Sequence, residues 1–97
     1  MCGICGFTGL EENRILDTML KYIRTRGPDS EGKFSKNNIH LAATRLSIRD
    51  IKNGNQPFFH EDINYVTVFN GEIYNYDYLK KKIREKGYSI KTNCDTE

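Results

Sequence analysis

The sequence predicts an α+β domain with its helices and antiparallel strands in separate stretches. Two stretches, 11–26 and 75–86, repeat apolar residues at helical spacing. Around them lie five short stretches that read as strands, and the Asn37-Asn38 turn joins two of these as a hairpin. At 97 residues there is room for at most one domain.

Residues 2–8 read as a strand with two fairly apolar faces, hence buried. Glu11 to Arg26 reads as a helix, with Ile15, Leu16, Met19, Leu20 and Ile23 on one face. Lys21, Arg24 and Arg26 crowd its last turns, where cations suit the helix dipole. Gly27-Pro28 stops it, and Arg26 to Ser30 forms a polar turn. Gly32 to Lys36 is a short strand. Ile39 to Ile48 is a longer one, with Ile39, Leu41, Ala43 and Arg45 on one side. Ile51 to Pro57 is a polar loop with Asn53-Gly54-Asn55 at its tip. Asn64 to Phe69 is a strand whose Tyr65, Val66, Val68 and Phe69 fill both faces. Asn75 to Lys86 is the second helix. Asn75 suits its N-cap, Tyr76, Leu79 and Ile83 form its apolar face, and Gly87 suits the position after its C-cap. Tyr88 to Lys91 reads as a short strand.

A net charge of +2 is too weak to suggest a nucleic-acid partner. The basic run Lys80, Lys81, Lys82, Arg84 and Lys86 reads as a solvated helix face. No apolar run approaches the ~18 residues of a membrane span, and no basic-then-apolar leader precedes Cys2. The expectation is a cytoplasmic chain with no membrane association and three reduced thiols.

The chemistry concentrates in the first nine residues. If Met1 is removed, Cys2 carries a thiol and a free α-amine. A thiol has an ordinary pKa of about 8.5 and an α-amine about 7.7–8.0. The amine can therefore take the thiol proton, so that nucleophile and base share one residue. Other readings stand beside this one. A second-position cysteine often does nothing. Cys2-Gly3-Ile4-Cys5 is also a C-x-x-C pair, suited to a redox dithiol or half a zinc site. A zinc site would need two more ligands from Cys94, His40 and His60, none in a paired spacing. No metal is expected.

Two further residues stand out. Arg45 ends an otherwise apolar strand face, where it needs an anionic partner or else lies at a solvent-facing strand end. Asn70-Gly71 after a buried strand is either a turn or a pair of donors, the Asn70 amide and the Gly71 N–H, aimed at one point as an oxyanion hole.

Five stretches in order carry a resemblance. They are Met1-Cys2-Gly3-Ile4 with Gly6, Arg26-Gly27-Pro28-Asp29 with Gly32, Arg45-Leu46-Ser47-Ile48 followed by Gln56-Pro57, Asn70-Gly71-Glu72-Ile73-Tyr74-Asn75, and Asp95-Thr96-Glu97. Together they resemble the N-terminal glutaminase domain of class II glutamine amidotransferases. The Arg-Gly-Pro-Asp and Asn-Gly-Glu-Ile-Tyr-Asn forms are most similar to the asparagine synthetase (glutamine-hydrolysing) branch and its relatives in surface-sugar pathways.

The resemblance implies an N-terminal-nucleophile αββα sandwich of antiparallel sheets, of which residues 1–97 would supply about the first half. It implies that Cys2 attacks the glutamine side-chain amide, forming a γ-glutamyl thioester and ammonia, with its α-amine as base. Asn70 and Gly71 would hold the oxyanion. Arg45 would pair with the substrate α-carboxylate, Glu72 and Asp95 would meet the α-ammonium, and main-chain groups of Leu46, Ser47 and Ile48 would line the pocket. L-glutamine is the implied ligand. The implied partner is a C-terminal synthetase domain, in cis or trans, which uses ATP and Mg and is absent from this chain; this chain itself is expected to use no cofactor. Full-length relatives are often homodimeric. Three departures accompany the match. Ala43-Thr44 stands before Arg45 where many members have His, Cys5 replaces a commonly apolar residue, and the family domain is about twice as long. The isolated chain is therefore expected to be partly folded, aggregation-prone or partner-dependent, inactive toward glutamine, and with Asp95 poorly held at a frayed end. The alternative is a truncated non-catalytic remnant or an amidotransferase module of surface-sugar biosynthesis.

Overall fold

The computed structural model describes residues 1–10, 13–60 and 64–97. Strands β1 (Gly3–Thr8), β2 (Ser30–Lys36) and β3 (Ile39–Arg45) form an antiparallel sheet with β3 in the middle. The β2–β3 hairpin turns on Asn37 and Asn38, with φ of 52° and 60°. Two successive left-handed residues match the twist of the flanking strands, and Asn adopts this conformation more readily than most residues.

Period-2 alternation divides the sheet. Cys5 and Phe7 of β1 and Ala42 of β3 point to one face. There they meet helix α1 (Asn13–Ile23) through Leu16, Leu20 and Ile23. Leu16 and Leu20 are four apart, so they stack on one side of the helix, and both are buried. Ile15, expected on that face, is exposed. The helix tightens into a 3₁₀ turn at Arg24–Arg26, and the Thr44 hydroxyl donates to the Ile23 carbonyl at 3.1 Å. That bond satisfies one of the carbonyls a helix end leaves unpaired. The predicted helix start at Glu11 lies outside the described residues.

His40 is buried on this same side, 4.4 Å above the Phe7 ring. Its ring nitrogens lie 2.9 Å from the Ser35 hydroxyl and 3.1 Å from the Gly9 carbonyl. The opposite face of the sheet carries Phe34, Ala43 and Arg45. A two-stranded ribbon, β4 (Phe58–Phe59) with β5 (Val66–Thr67), approaches this face, and Phe59 meets Phe34 edge-on at 5.8 Å.

Four expectations change. The strand predicted to Ile48 stops at Arg45, because the chain there turns back around the Arg45 side chain. The strand predicted over Asn64–Phe69 shrinks to Val66–Thr67, and the Phe69 backbone bonds to the side chain of Gln56 instead. Tyr88 to Lys91 forms no strand. The Tyr88 N–H caps a helix, and the Lys91 N–H goes to the Glu97 carboxylate. Finally, β1 is not buried on both faces, since Ile4, Gly6 and Thr8 are exposed.

Helix α2 (Tyr76–Glu85) ends as its sequence predicts. Gly87 has φ of 88°, its N–H bonds to the Arg84 carbonyl, and the Tyr88 N–H bonds to that of Ile83. This is a Schellman cap. Among its residues none is fully buried. The helix is tied down instead by Lys80, whose ammonium donates to the Thr92 carbonyl at 3.2 Å and the Asn93 side chain at 2.6 Å. The closing segment 92–97 is held in turn by carboxylates. Asp50 accepts from the Asn93 N–H at 2.9 Å, and Glu97 accepts from the Thr92 N–H and hydroxyl at 2.7 Å.

Truncating Leu20 to Ala should cost about 2–5 kcal/mol, since it empties a buried site in a small core. Lys81→Ala on the exposed face of α2 should stay within about 0.5 kcal/mol. Urea unfolding of both variants checks the contrast.

The carboxylates predict a pH response. The Asn93 N–H, with the Asn53 amides, holds the Asp50 carboxyl below its ordinary pKa despite desolvation. Burial pushes the Glu97 carboxyl up, but bonds from Lys91 and Thr92 outweigh it and leave it lowered. A depressed folded-state pKa stabilises above the unfolded value, and that contribution is lost as pH falls through the folded value. Segment 92–97 should therefore stay docked at neutral pH and loosen only below about pH 4. NMR titration of the Thr92 and Asn93 amides reads this directly; midpoints at or above the ordinary values of about 4.3 and 3.9 would contradict it.

Candidate functional site

The site begins where β3 ends. Arg45 is only 4 % exposed, and a buried guanidinium must be compensated. The loop that follows wraps its carbonyls around it. Nη1 donates to the Ile51 carbonyl at 3.2 Å, and Nη2 donates to those of Asp50, at 2.8 Å, and Arg49. Asp50 sits at φ of 42° to make this turn, a region that Asp visits more readily than most residues. Three of the five guanidinium N–H groups are used in this way. The remaining two, on Nε and Nη1, do not share one edge of the fork.

Two glycines make this packing possible. A Cβ on Gly54 would lie 2.4 Å from Nη2 of Arg45, and one on Gly27 would lie 2.4 Å from the Arg45 backbone nitrogen. Gly27 therefore lets the Arg-Gly-Pro-Asp segment run against the end of β3. There the Asp29 N–H donates to the Arg45 carbonyl at 3.0 Å, and the Asp29 carboxylate accepts from the Ser47 N–H at 2.7 Å. The half-buried thiol of Cys2 points to the same place, with Sγ 3.9 Å from the Leu46 carbonyl.

A cavity of about 180 Å³ opens between these segments and the stretch after β5. Cys2, Arg45, Leu46 and Ile48 line one part of it, and Asn70, Gly71, Glu72 and Asp95 line another. Of the residues expected at the site, Ser47 alone is not on the cavity wall; its N–H serves Asp29 instead. Asp95 is not frayed. Its carboxylate accepts from the Ile73 N–H at 3.0 Å, which docks the end of the chain against the Asn-Gly-Glu-Ile stretch. Glu72 pairs with Arg49 at 3.5 Å, and Arg49 lies over the Tyr76 ring at 5.2 Å.

The cavity wall also includes Arg49, Gln56, Phe69, Cys94 and Thr96, which sequence reasoning did not single out. Gln56 and Thr96 fall inside the quoted motifs, so a signal for them was present; Arg49 and Phe69 carry none, and Cys94 was weighed only as a zinc ligand. Two cations, Arg45 and Arg49, and two carboxylates, Glu72 and Asp95, thus surround one small space. That balance suits a zwitterion. A thiol, an exposed side-chain amide and an exposed backbone N–H border the same space, the groups that acyl transfer needs.

Cys5 lies elsewhere, packed against the α1 core, where burial pushes its thiol pKa up. Among the described residues no three His, Cys, Asp or Glu side chains are grouped to hold a metal ion. No helix there is long and apolar enough to cross a membrane.

Known proteins are similar to this chain in sequence. The chain is 39% identical to asparagine synthetase [glutamine-hydrolyzing] 1 of Bacillus subtilis, over 97% of the chain and 16% of that protein. It is 34% identical to asparagine synthetase [glutamine-hydrolyzing] 1 of Arabidopsis thaliana, over 98% of the chain and 17% of that protein. The chain thus spans about a sixth of the length of these relatives, matching their glutamine amidotransferase part. A family model described as a glutamine amidotransferase domain matches residues 1–97, and the chain belongs to that family.

Proposed function

We propose that this chain is a glutaminase module that releases ammonia from the side-chain amide of L-glutamine. One observation carries the reading: Cys2, Asn70 and Gly71 border the same cavity as Arg45, Glu72 and Asp95. The first three residues are the reacting set and the others suit the two charges of an amino acid.

In this reading, removal of Met1 frees the Cys2 α-amine. The amine takes the thiol proton as Sγ attacks the amide carbon. The oxyanion that forms is held by the Asn70 side-chain amide and the Gly71 N–H. The amine then passes its proton to the departing nitrogen, and ammonia leaves. Water next attacks the γ-glutamyl thioester, the same amine serving as base, and glutamate is released. Arg45 supplies positive charge for the α-carboxylate, but with three donors on carbonyls it offers two separate N–H groups rather than a parallel fork. Asp95 and Glu72 face the α-ammonium. Substrate would draw Glu72 away from Arg49, an exposed pair that costs little to break.

No metal or cofactor enters these steps. In an asparagine-forming whole, ATP and magnesium would serve a separate synthetase unit, in cis or trans, that receives the ammonia. Exposed apolar groups support a module that works against further polypeptide. Leu79 and Ile83 of α2 are 37 % and 38 % exposed, and Ile4 and Ile39 line the sheet at 44 % and 46 %. Covering them would extend the observed antiparallel layers toward an αββα sandwich. The cytoplasm, where thiols stay reduced, suits the chemistry.

Ammonia release from glutamine by the native assembly tests the nucleophile. Cys2→Ser should lower it by orders of magnitude, because a hydroxyl has a much higher pKa than a thiol. Any residue left ahead of Cys2 should do the same; full activity with a blocked terminus would sink the mechanism. Asn70→Ala should lower kcat by ~10²–10³, the loss typical of one oxyanion donor. Arg45→Ala should instead raise KM about 10- to 100-fold, the value of a charge-assisted bond, and lower the melting temperature because loop 49–51 loses its anchor. An Asn70→Ala protein changed only in KM would refute the oxyanion role.

A further inference from the structure

Gln56 is buried, lies on the cavity wall and has no part in the chemistry proposed above. Its side-chain amide is nonetheless fully engaged. Oε1 accepts from the Phe69 N–H at 2.7 Å. Nε2 donates to the Phe69 carbonyl at 3.0 Å and to the Thr96 hydroxyl at 3.4 Å.

Strand register explains the first two bonds. Phe58 faces Thr67 and Phe59 faces Val66, so the same antiparallel ladder carried further sets residue 56 opposite Phe69. Pro57 has no N–H to contribute, and the ladder ends at Phe58. The Gln56 side chain carries the same acceptor and donor as a peptide group. It closes the ladder on Phe69 where the backbone does not.

Phe69 is the residue before Asn70-Gly71, and Thr96 follows Asp95. One buried amide therefore holds both the approach to the oxyanion pair and the segment that carries the carboxylate. We infer that Gln56 is a positioning residue that sets the Asn70-Gly71 donors against Cys2. The inference rests on the glutaminase reading. Both polar atoms of the Gln56 amide are already committed to Phe69 and Thr96, so it acts through Phe69. A misplacement of about 1 Å in such a site costs ~10²-fold.

Two electrophiles separate positioning from fold. A diazoketone derived from glutamine labels Cys2 through a carbonyl that the oxyanion donors polarise. The sulfur–carbon bond forms at the terminal carbon, the thiol proton ends on that carbon, and dinitrogen leaves. Iodoacetamide alkylates Cys2 by displacing iodide and uses no oxyanion donor. Labelling rates are read by mass spectrometry on the native assembly and on the same assembly with each of two variants of this chain. Gln56→Glu keeps the size and the acceptor for the Phe69 N–H, but sets an oxygen against the Phe69 carbonyl. Gln56→Ala removes both bonds.

Both variants should lose about 10-fold or more in diazoketone labelling while the iodoacetamide rate at Cys2 stays within about 2-fold. The Phe69 amide should be protected from hydrogen exchange in the unaltered chain and exposed in Gln56→Ala. Equal diazoketone rates in Gln56→Glu and the unaltered chain overturn the inference and leave the glutaminase reading standing. Parallel loss of both labels overturns it as well, as does a Phe69 amide unprotected in the unaltered chain, whatever the variants do. A native assembly that takes iodoacetamide at Cys2 but no diazoketone overturns the glutaminase reading, and the inference with it.

Discussion

The structure depends on one buried positive charge. Arg45 sits at the end of the central strand, 4 % exposed, and removing a guanidinium from water is costly unless its N–H groups are met. They are met by three successive backbone carbonyls, which can reach them only if the chain after β3 curls back at once. That curl explains why the strand stops at Arg45, why Asp50 takes a left-handed conformation, and why Gly54 carries no side chain. An arginine that reads as a ligand for a carboxylate is first of all the anchor of its own loop. The two roles are compatible because the carbonyls leave the charge uncancelled; they orient it and keep water off it.

The charges around the cavity follow from that anchor. With Arg45 fixed in the wall and Arg49 at the rim, an empty cavity carries two cations that need partners. Glu72 answers Arg49 directly at 3.5 Å. Asp95 accepts from the Ile73 N–H with one oxygen, and its second oxygen meets only the Cys94 thiol at 3.9 Å, a weak donor that an ammonium would displace. The opposing charges are thus set on separate elements before any ligand arrives. An amino acid binding there would exchange the exposed Glu72–Arg49 pair for its own contacts, with Arg49 remaining at the rim over the Tyr76 ring.

Much of this was legible in the sequence, and what was not has a common cause. Helix α1, the β2–β3 hairpin at Asn37-Asn38 and the Gly87 cap rest on local chemistry, and they appear where the pattern puts them. The residues singled out from the motifs, all but Ser47, line one cavity. The errors fall where a side chain replaces backbone as the bonding partner. Gln56 takes the place of a strand opposite Phe69, and Glu97 takes the N–H groups of Lys91 and Thr92, at the end of the stretch expected as a strand. Apolar alternation cannot reveal this, because both kinds of bonding leave the same hydrophobic pattern. Asp95 was expected to fray on position alone, yet its neighbours Asn93 and Glu97 bond the segment down.

The same bonds explain why five short motifs must occur together. Cys2 meets the third motif through the Leu46 carbonyl, and Asp29 of the second meets it through the Ser47 N–H. Gln56 of the third holds Phe69, which leads into the fourth, and also reaches Thr96 of the fifth. Asp95 of the fifth returns to Ile73 of the fourth. Four of the five motifs put residues on the cavity wall, and the second, which does not, bonds the third through Asp29. Bonds to a shared network are not independent, so losing one displaces groups that no single contact would implicate. A reading that takes each motif residue for its chemistry alone assigns half of the site. The other half consists of Asp29, Asp50, Gln56 and Glu97, whose carboxylates and amide bond backbone and leave the cavity to the reacting groups.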